Sequence, residues 1–139
     1  MKKINIIAKY YETNEWAVQH QTDFSLKITN CSIGITDFAQ TVFGNINFLA
    51  LPKIGKSFQQ GQPYAVVEST KTATDISMPL SGKIIAVNEP LINQPELLNK
   101  TPYECWLVKI AANVPNEWDQ LMTAEQYLKY IGVFFNKER

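Results

Sequence analysis

An internal repeat constrains this chain more than any other feature. GNINFLALPKI (residues 44–54) and GKIIAVNEPLI (residues 82–92) align Gly44 with Gly82, Ile46 with Ile84, Pro52 with Pro90 and Ile54 with Ile92, each pair 38 residues apart. One inserted residue later, Pro63-Tyr64 aligns with Pro102-Tyr103, 39 residues apart, and each pair is expected to open an apolar strand, YAVV in the first copy and CWLV in the second. Six matched positions in a fixed order imply two copies of a strand, loop, strand unit. Neither copy is large enough to bury a core alone, so the two are expected to pack face to face as a small sandwich or flattened barrel with pseudo-two-fold symmetry.

The segment joining the copies is ESTKTATD (residues 68–75). Extended, β-branched residues flank it on both sides, which predicts an exposed hairpin with Lys71 at its tip. The turn lacks the Asn-Gly or Gly that two-residue hairpins prefer, and a type I turn tolerates its residues. A lysine there has three readings. A solvated loop lysine is the ordinary one. A catalytic amine needs burial or a nearby cation to lower its pKa, and a tip beside Glu68 and Asp75 offers neither. An attachment point needs only reach and access, and acylation converts the amine into a neutral amide carrying the added group.

Outside the repeat the chain reads as follows. Leu26, Ile28, Ile33 and Ile35 suit an early strand pair with a turn near Asn30. Thr36-Asp37 predicts the N-terminus of a short helix near residues 37–43, closed by Gly44. In the tail, Asn116 is expected to cap EWDQL, and Thr123 with Gln126 forms a capping-box pair ahead of a helix that stops at Gly132. Leu121, Tyr127, Leu128 and Ile131 are its expected buried side.

At 139 residues the chain fits a single domain, residues 1–139. Thirteen Lys+Arg balance thirteen Asp+Glu, which removes the long-range field a nucleic-acid or anionic-membrane partner would use. INIIA near the N-terminus is too short for a signal-peptide core, and no segment reaches membrane-spanning length. Cys31 and Cys105 form no C-x-x-C unit and have only His20 to join them at a metal, so both are read as packed thiols in a reducing, cytoplasmic compartment.

Eight blocks of the chain resemble one family in order and spacing: NEW (14–16), SIGITDFAQ (32–40), FGNINF (43–48), LPKIGKSFQQGQ (51–62), VVESTKT (66–72), SGKIIAVNEPL (81–91), PELLNKTPY (95–103) and WLVKI (106–110). That family is the H protein of the glycine cleavage system. The resemblance implies a mostly β barrel-sandwich hybrid of the lipoyl- and biotinyl-carrier kind, with a carrier core of about residues 26–110 and a C-terminal helical segment of about residues 116–132. It implies a carrier without catalysis of its own, with lipoate in amide linkage on Lys71. Side chain and lipoyl group together reach ~14 Å, enough to enter a partner's cleft while the scaffold stays outside. The implied partners are glycine decarboxylase, aminomethyltransferase, dihydrolipoamide dehydrogenase and a lipoate ligase or lipoyltransferase.

Two sets of acidic residues take roles on the same terms. Glu68 and Asp75 border the tip as candidate recognition points for the lipoylating enzyme, or as solubilising charges. Asp75 and Glu15 map to positions where the family's loaded arm folds back. Departures from the family pattern fall at Asn14 and Phe38, where histidines are common, and at the shortened loop Glu104-Cys105, where Cys105 raises a thiol near the arm. These motivate an alternative, an H-like protein that relays lipoate to other complexes or redox partners. Biotin carriage is disfavoured by Thr70 and Thr72, where biotin domains place methionines, and an unmodified interaction module is a further alternative.

Overall fold

The computed structural model describes residues 4–137, with side chains described as far as Gly132; residues 1–3, 138 and 139, the ends of the expected single domain, lie outside the described residues. Among the described residues nine strands run β1 (Lys9–Tyr11), β2 (Glu15–Asp23), β3 (Ile28–Ile35), β4 (Ile46–Ala50), β5 (Ser57–Phe58), β6 (Pro63–Ser69), β7 (Ala73–Ser77), β8 (Gly82–Val87) and β9 (Val108–Ala112). Helices are interspersed among them: α1 (Asp37–Phe43), α2 (Glu89–Asn93), α3 (Leu97–Lys100), α4 (Pro115–Gln120) and α5 (Ala124–Lys137). The strands form two antiparallel sheets, one of order β1-β2-β3-β9-β8-β5 and one of order β4-β6-β7.

The repeat is realised as two hairpin-like pairs in different sheets. In the first copy β4 pairs with β6, in the second β8 pairs with β9. Burial alternates along β8, where Gly82 and Ile84 are buried and Lys83 and Ile85 exposed, so each sheet turns one face inward. Ile46, Leu49, Val67, Ile76, Ile84 and Ile110, all buried, close the core from both sheets. A register shift between Pro63 and Ala65 makes Tyr64 an extra residue in β6, which explains why Tyr64 and Ala65 are buried in succession.

A second, aromatic cluster fastens the C-terminal helix to the N-terminal strands. Tyr10 and Tyr127 stack with ring centroids 4.4 Å apart, and Trp16 and Tyr103 pack beside them. The capping box predicted for α5 forms in both directions: Thr123 N–H donates to Gln126 Oε1 at 2.9 Å and Gln126 N–H to Thr123 Oγ1 at 3.2 Å. Thr36 caps α1 by accepting from Ala39 N–H at 3.1 Å, and Gly44 closes it with φ +79°.

Five expectations are corrected. β3 is continuous through Asn30; the turn lies before it, where Asp23 Oδ1 accepts from the N–H groups of Ser25 and Leu26 and leaves Leu26 exposed. Helix α4 starts two residues earlier than the Asn116 cap requires, because Pro115 fits the first helical position and Val114 precedes it without a side-chain cap. Helix α5 passes through Gly132, a residue a helix interior tolerates at modest cost. Leu128 faces solvent, while Leu121, Tyr127 and Ile131 are buried. The second Pro-Tyr pair opens a turn; its strand begins at Val108, because the chain between is occupied in capping α3 and seating Trp106.

Candidate functional site

The β6–β7 hairpin ends in a tight turn whose geometry comes from Ser69. Ser69 N–H donates to the Thr72 carbonyl at 2.8 Å, and Ser69 Oγ accepts from the N–H groups of Lys71 and Thr72 at 3.2 and 3.3 Å. A side-chain oxygen therefore fills the acceptor role a backbone carbonyl has in other turns. Neither Thr70 nor Lys71 needs a positive φ, so the missing Asn-Gly carries no penalty. Below the turn Glu68 pairs with Ala73, Val67 with Thr74 and Val66 with Asp75. Lys71 is exposed at the tip, and among the described residues no carboxylate forms an ion pair with it.

The lysine stem lies over Gly44 at the end of α1. A β-carbon on Gly44 would sit 3.5 Å from Lys71 Cε and 3.7 Å from both Cδ and Nζ. Gly44 is itself held from a distant loop. Asn99, in α3, donates from Nδ2 to the Gly44 carbonyl at 2.8 Å and to Gln40 Oε1 at 2.9 Å, and its Oδ1 accepts from Ile46 N–H at 2.9 Å. Neither Ser69, Gly44 nor Asn99 carries a role at the lysine in the sequence reading. Ser69 was recoverable, since Ser two residues before a turn lysine is an ST-turn signal; Asn99 had no local signal.

Lys71, Glu68 and Asp75 lie on one hairpin, and Glu15 stands apart from them. Strand register puts Glu68 and Asp75 on one outward face of the β4-β6-β7 sheet, both exposed, with the half-exposed Phe48 opposite Glu68. Glu15 is only 2% exposed. Thr13 Oγ1 donates to its Oε1, and Ser77 N–H, at the open edge of β7, donates to Oε2 at 3.2 Å. Burial pushes its pKa up to about 8 against the opposing pull of those two bonds, so it is a largely neutral acid near pH 7. Tyr64 lies within its field, and that hydroxyl is a buried one without a hydrogen-bond partner among the described residues.

The departures from the family pattern belong to packing. Asn14 takes a left-handed backbone at φ +75°, which Asn tolerates, and its Oδ1 accepts from Tyr127 Oη at 2.8 Å. Phe38 packs against the same aromatic cluster. Cys105 is buried beneath α3, with its sulfur 3.4 Å from Thr101 Oγ1 and 3.6 Å from the Leu97 carbonyl, which places the speculative thiol in the core. Cys31 is also buried, and burial alone pushes its thiol pKa up to about 12. Among the described residues no cluster of three or more His, Cys, Asp or Glu is arranged to hold a metal ion, and no helix is long and apolar enough to cross a membrane.

Residues 8–133 match the family model described as Glycine cleavage H-protein. The chain belongs to that family. It is 42% identical over 120 residues to the glycine cleavage system H protein of Bacillus cytotoxicus, covering 86% of this chain and 89% of that one. It is 43% identical over 119 residues to the H protein of Methylococcus capsulatus, with the same coverage. The crystal structure of the H protein of Mycobacterium marinum superposes with a TM-score of 0.81 at 28% identity, covering 93% of this chain and 99% of that chain. The mostly β sandwich with C-terminal helices is thus the H-protein fold, and the chain is a carrier component of the glycine cleavage system.

Proposed function

We propose that Lys71 is the lipoyl attachment point, and that this H-family chain is a non-catalytic carrier forming one domain, residues 1–139, in the cytoplasm. One observation carries the reading: in a chain of this family, a stiff hairpin holds out an exposed primary amine free of ion pairs among the described residues. Lipoate in amide linkage on that amine would supply a disulfide that can be reduced and reoxidised and a sulfur able to carry the aminomethyl group of glycine between partners. Glycine decarboxylase, aminomethyltransferase, dihydrolipoamide dehydrogenase and a lipoate ligase or lipoyltransferase are the corresponding partners.

The residues divide the work of presenting the amine. Ser69 locks the turn, so the tip costs little ordering when a partner closes around it. Glu68 and Asp75 set two negative charges on the face leading to the tip, where a lipoylating enzyme can read them. Glu15 lies behind the edge of β7, bonded to Ser77 and buried, with its pKa raised by that burial. The relay alternative drew on Asn14 and Phe38, which serve the packing of α5 and lend it no support.

Intact mass of the chain from its native host tests the reading directly. A lipoyl adduct mapping to Lys71 is expected; a biotinyl adduct, or an unmodified lysine in a host with active lipoylation, overturns it. Glycine-dependent reduction with glycine decarboxylase then separates carrier from relay, since a relay is lipoylated but is not loaded.

A further inference from the structure

We propose that Asn99 is a positioning residue for the acylation of Lys71, acting through Gly44; this rests on Lys71 being the attachment point. Three hydrogen bonds from one side amide tie together the end of α1, the carbonyl of Gly44 and the first N–H of β4. These groups form a shelf, and the Lys71 stem lies along it with Cδ, Cε and Nζ all in van der Waals range of a β-carbon at Gly44. The same segment is continuous with the hairpin, because Ile46 pairs with Ser69, the residue that makes the turn. Asn99 therefore controls both the surface under the lysine and the strand beside it.

The chemistry gives the shelf its purpose. The neutral Lys71 amine attacks the carbonyl carbon of an activated acyl donor, such as an acyl adenylate; the new C–N bond forms as the C–O bond to the nucleotide phosphate breaks, and one proton leaves the nitrogen. That step needs the amine at a set place on a surface another protein can grip. A free lysine has four rotatable bonds to order. The stem lies where a β-carbon at Gly44 would touch it, so the shelf bounds the space those bonds can explore before the acylating enzyme arrives. A chain that spends less time in the presented pose binds with an apparent affinity lower by that fraction, which raises KM and leaves kcat unchanged.

Lipoylation kinetics of the full chain with a lipoate ligase, ATP and lipoate test this. Asn99→Ala removes all three bonds and is expected to raise KM for the chain roughly tenfold with kcat preserved. Asn99→Asp, which keeps the acceptor for Ile46 N–H but loses both donors, is expected to fall between. Gly44→Ala puts a methyl against the lysine stem and is expected to change KM, whereas Gly55→Ala, at φ +95° with open space around it, imposes comparable backbone strain without touching Lys71 and is expected to leave KM alone. Circular dichroism at the assay temperature establishes that each variant is folded.

Wild-type KM in folded Asn99→Ala or Gly44→Ala overturns the inference, as does an equal KM change in Gly55→Ala or a loss confined to kcat. Lys71→Arg separates the two levels. If that variant is still lipoylated, the attachment site is wrong; if it is not, and the shelf variants behave as wild type, only the shelf is wrong.

Discussion

The two copies of the repeat share strands and differ in their loops, and the difference is where the site comes from. In the first copy the loop between β4 and β6 is short, and its β5 crosses to the other sheet, where Ser57 pairs with Lys83 and Phe58 with Gly82. In the second copy the loop between β8 and β9 is long enough for α2 and α3, and it crosses in the opposite direction to place Asn99 under the start of β4. Each copy is strapped by the loop of the other. One strap is a two-residue strand that closes a sheet edge; the other is helical and reaches the end of the molecule where Lys71 stands. The pseudo-symmetry builds the platform, and departure from it furnishes the lysine's surroundings.

The matched glycines make the same point. Gly44 and Gly82 occupy equivalent places in the repeat for unrelated reasons. Gly44 needs a left-handed φ of +79° and clearance for the lysine stem. Gly82 has no room: a β-carbon there would come within 2.6 Å of the Ala111 carbonyl oxygen on the neighbouring strand.

Substitutions should expose the difference between the two copies. The largest effect falls on the hairpin between the copies: Lys71→Arg should abolish carrier turnover while moving stability by no more than ~0.5 kcal/mol, since an exposed tip holds little of the fold. Glycine-dependent turnover and a urea melt together check both halves. Next, the two straps should differ in what they hold. Leu98→Ala, at a fully buried position of the helical strap, should destabilise by about 2–5 kcal/mol, and Phe58→Ala on the half-buried strand strap by less, as read from denaturant midpoints.

The glycines should separate by a smaller margin. Gly82→Ala should cost about 1–3 kcal/mol because the β9 backbone must move. Gly44→Ala should cost about 1 kcal/mol from backbone strain. An equal cost at both would mean that the two positions are constrained alike.

The smallest effect is a slope with pH. Glu15 bonds to the end of β7, on the segment that links the copies, and its folded pKa of about 8 lies above the ordinary glutamate value of 4.5. The native state therefore binds more protons between those values, and stability should fall as pH rises from about 4.5 to about 8. Glu15→Gln keeps an acceptor for Ser77 and cannot ionise, so its stability should lose this slope. A pH series of urea midpoints in which wild type and variant run parallel would count against a buried, neutral Glu15.

Patterns local in sequence were legible from the start. The Thr36 cap of α1, the capping box of α5 and the hairpin at Lys71 each depend on residues within a few positions, so their signals lie in consecutive letters. Readings failed where several local signals competed: Asp23 claimed the turn expected near Asn30, and Pro115 claimed the helix start expected at Asn116. Family blocks carried the site lysine and the acids beside it. They did not reveal that Glu15 is buried, or that Asn14 and Phe38 belong to the packing of α5.

By itself the sequence determined a two-copy β scaffold, its family and an amine at the link between the copies, because period, spacing and motif are properties of the chain. Tertiary structure alone decided what surrounds that amine. Asn99 lies 53 residues from Ile46 and 55 from Gly44, and Asn14 lies 113 from Tyr127, so only the folded chain brings these partners within hydrogen-bonding distance. The raised pKa of Glu15 has the same origin: its largest cause is burial, a quantity that exists only once both sheets have closed.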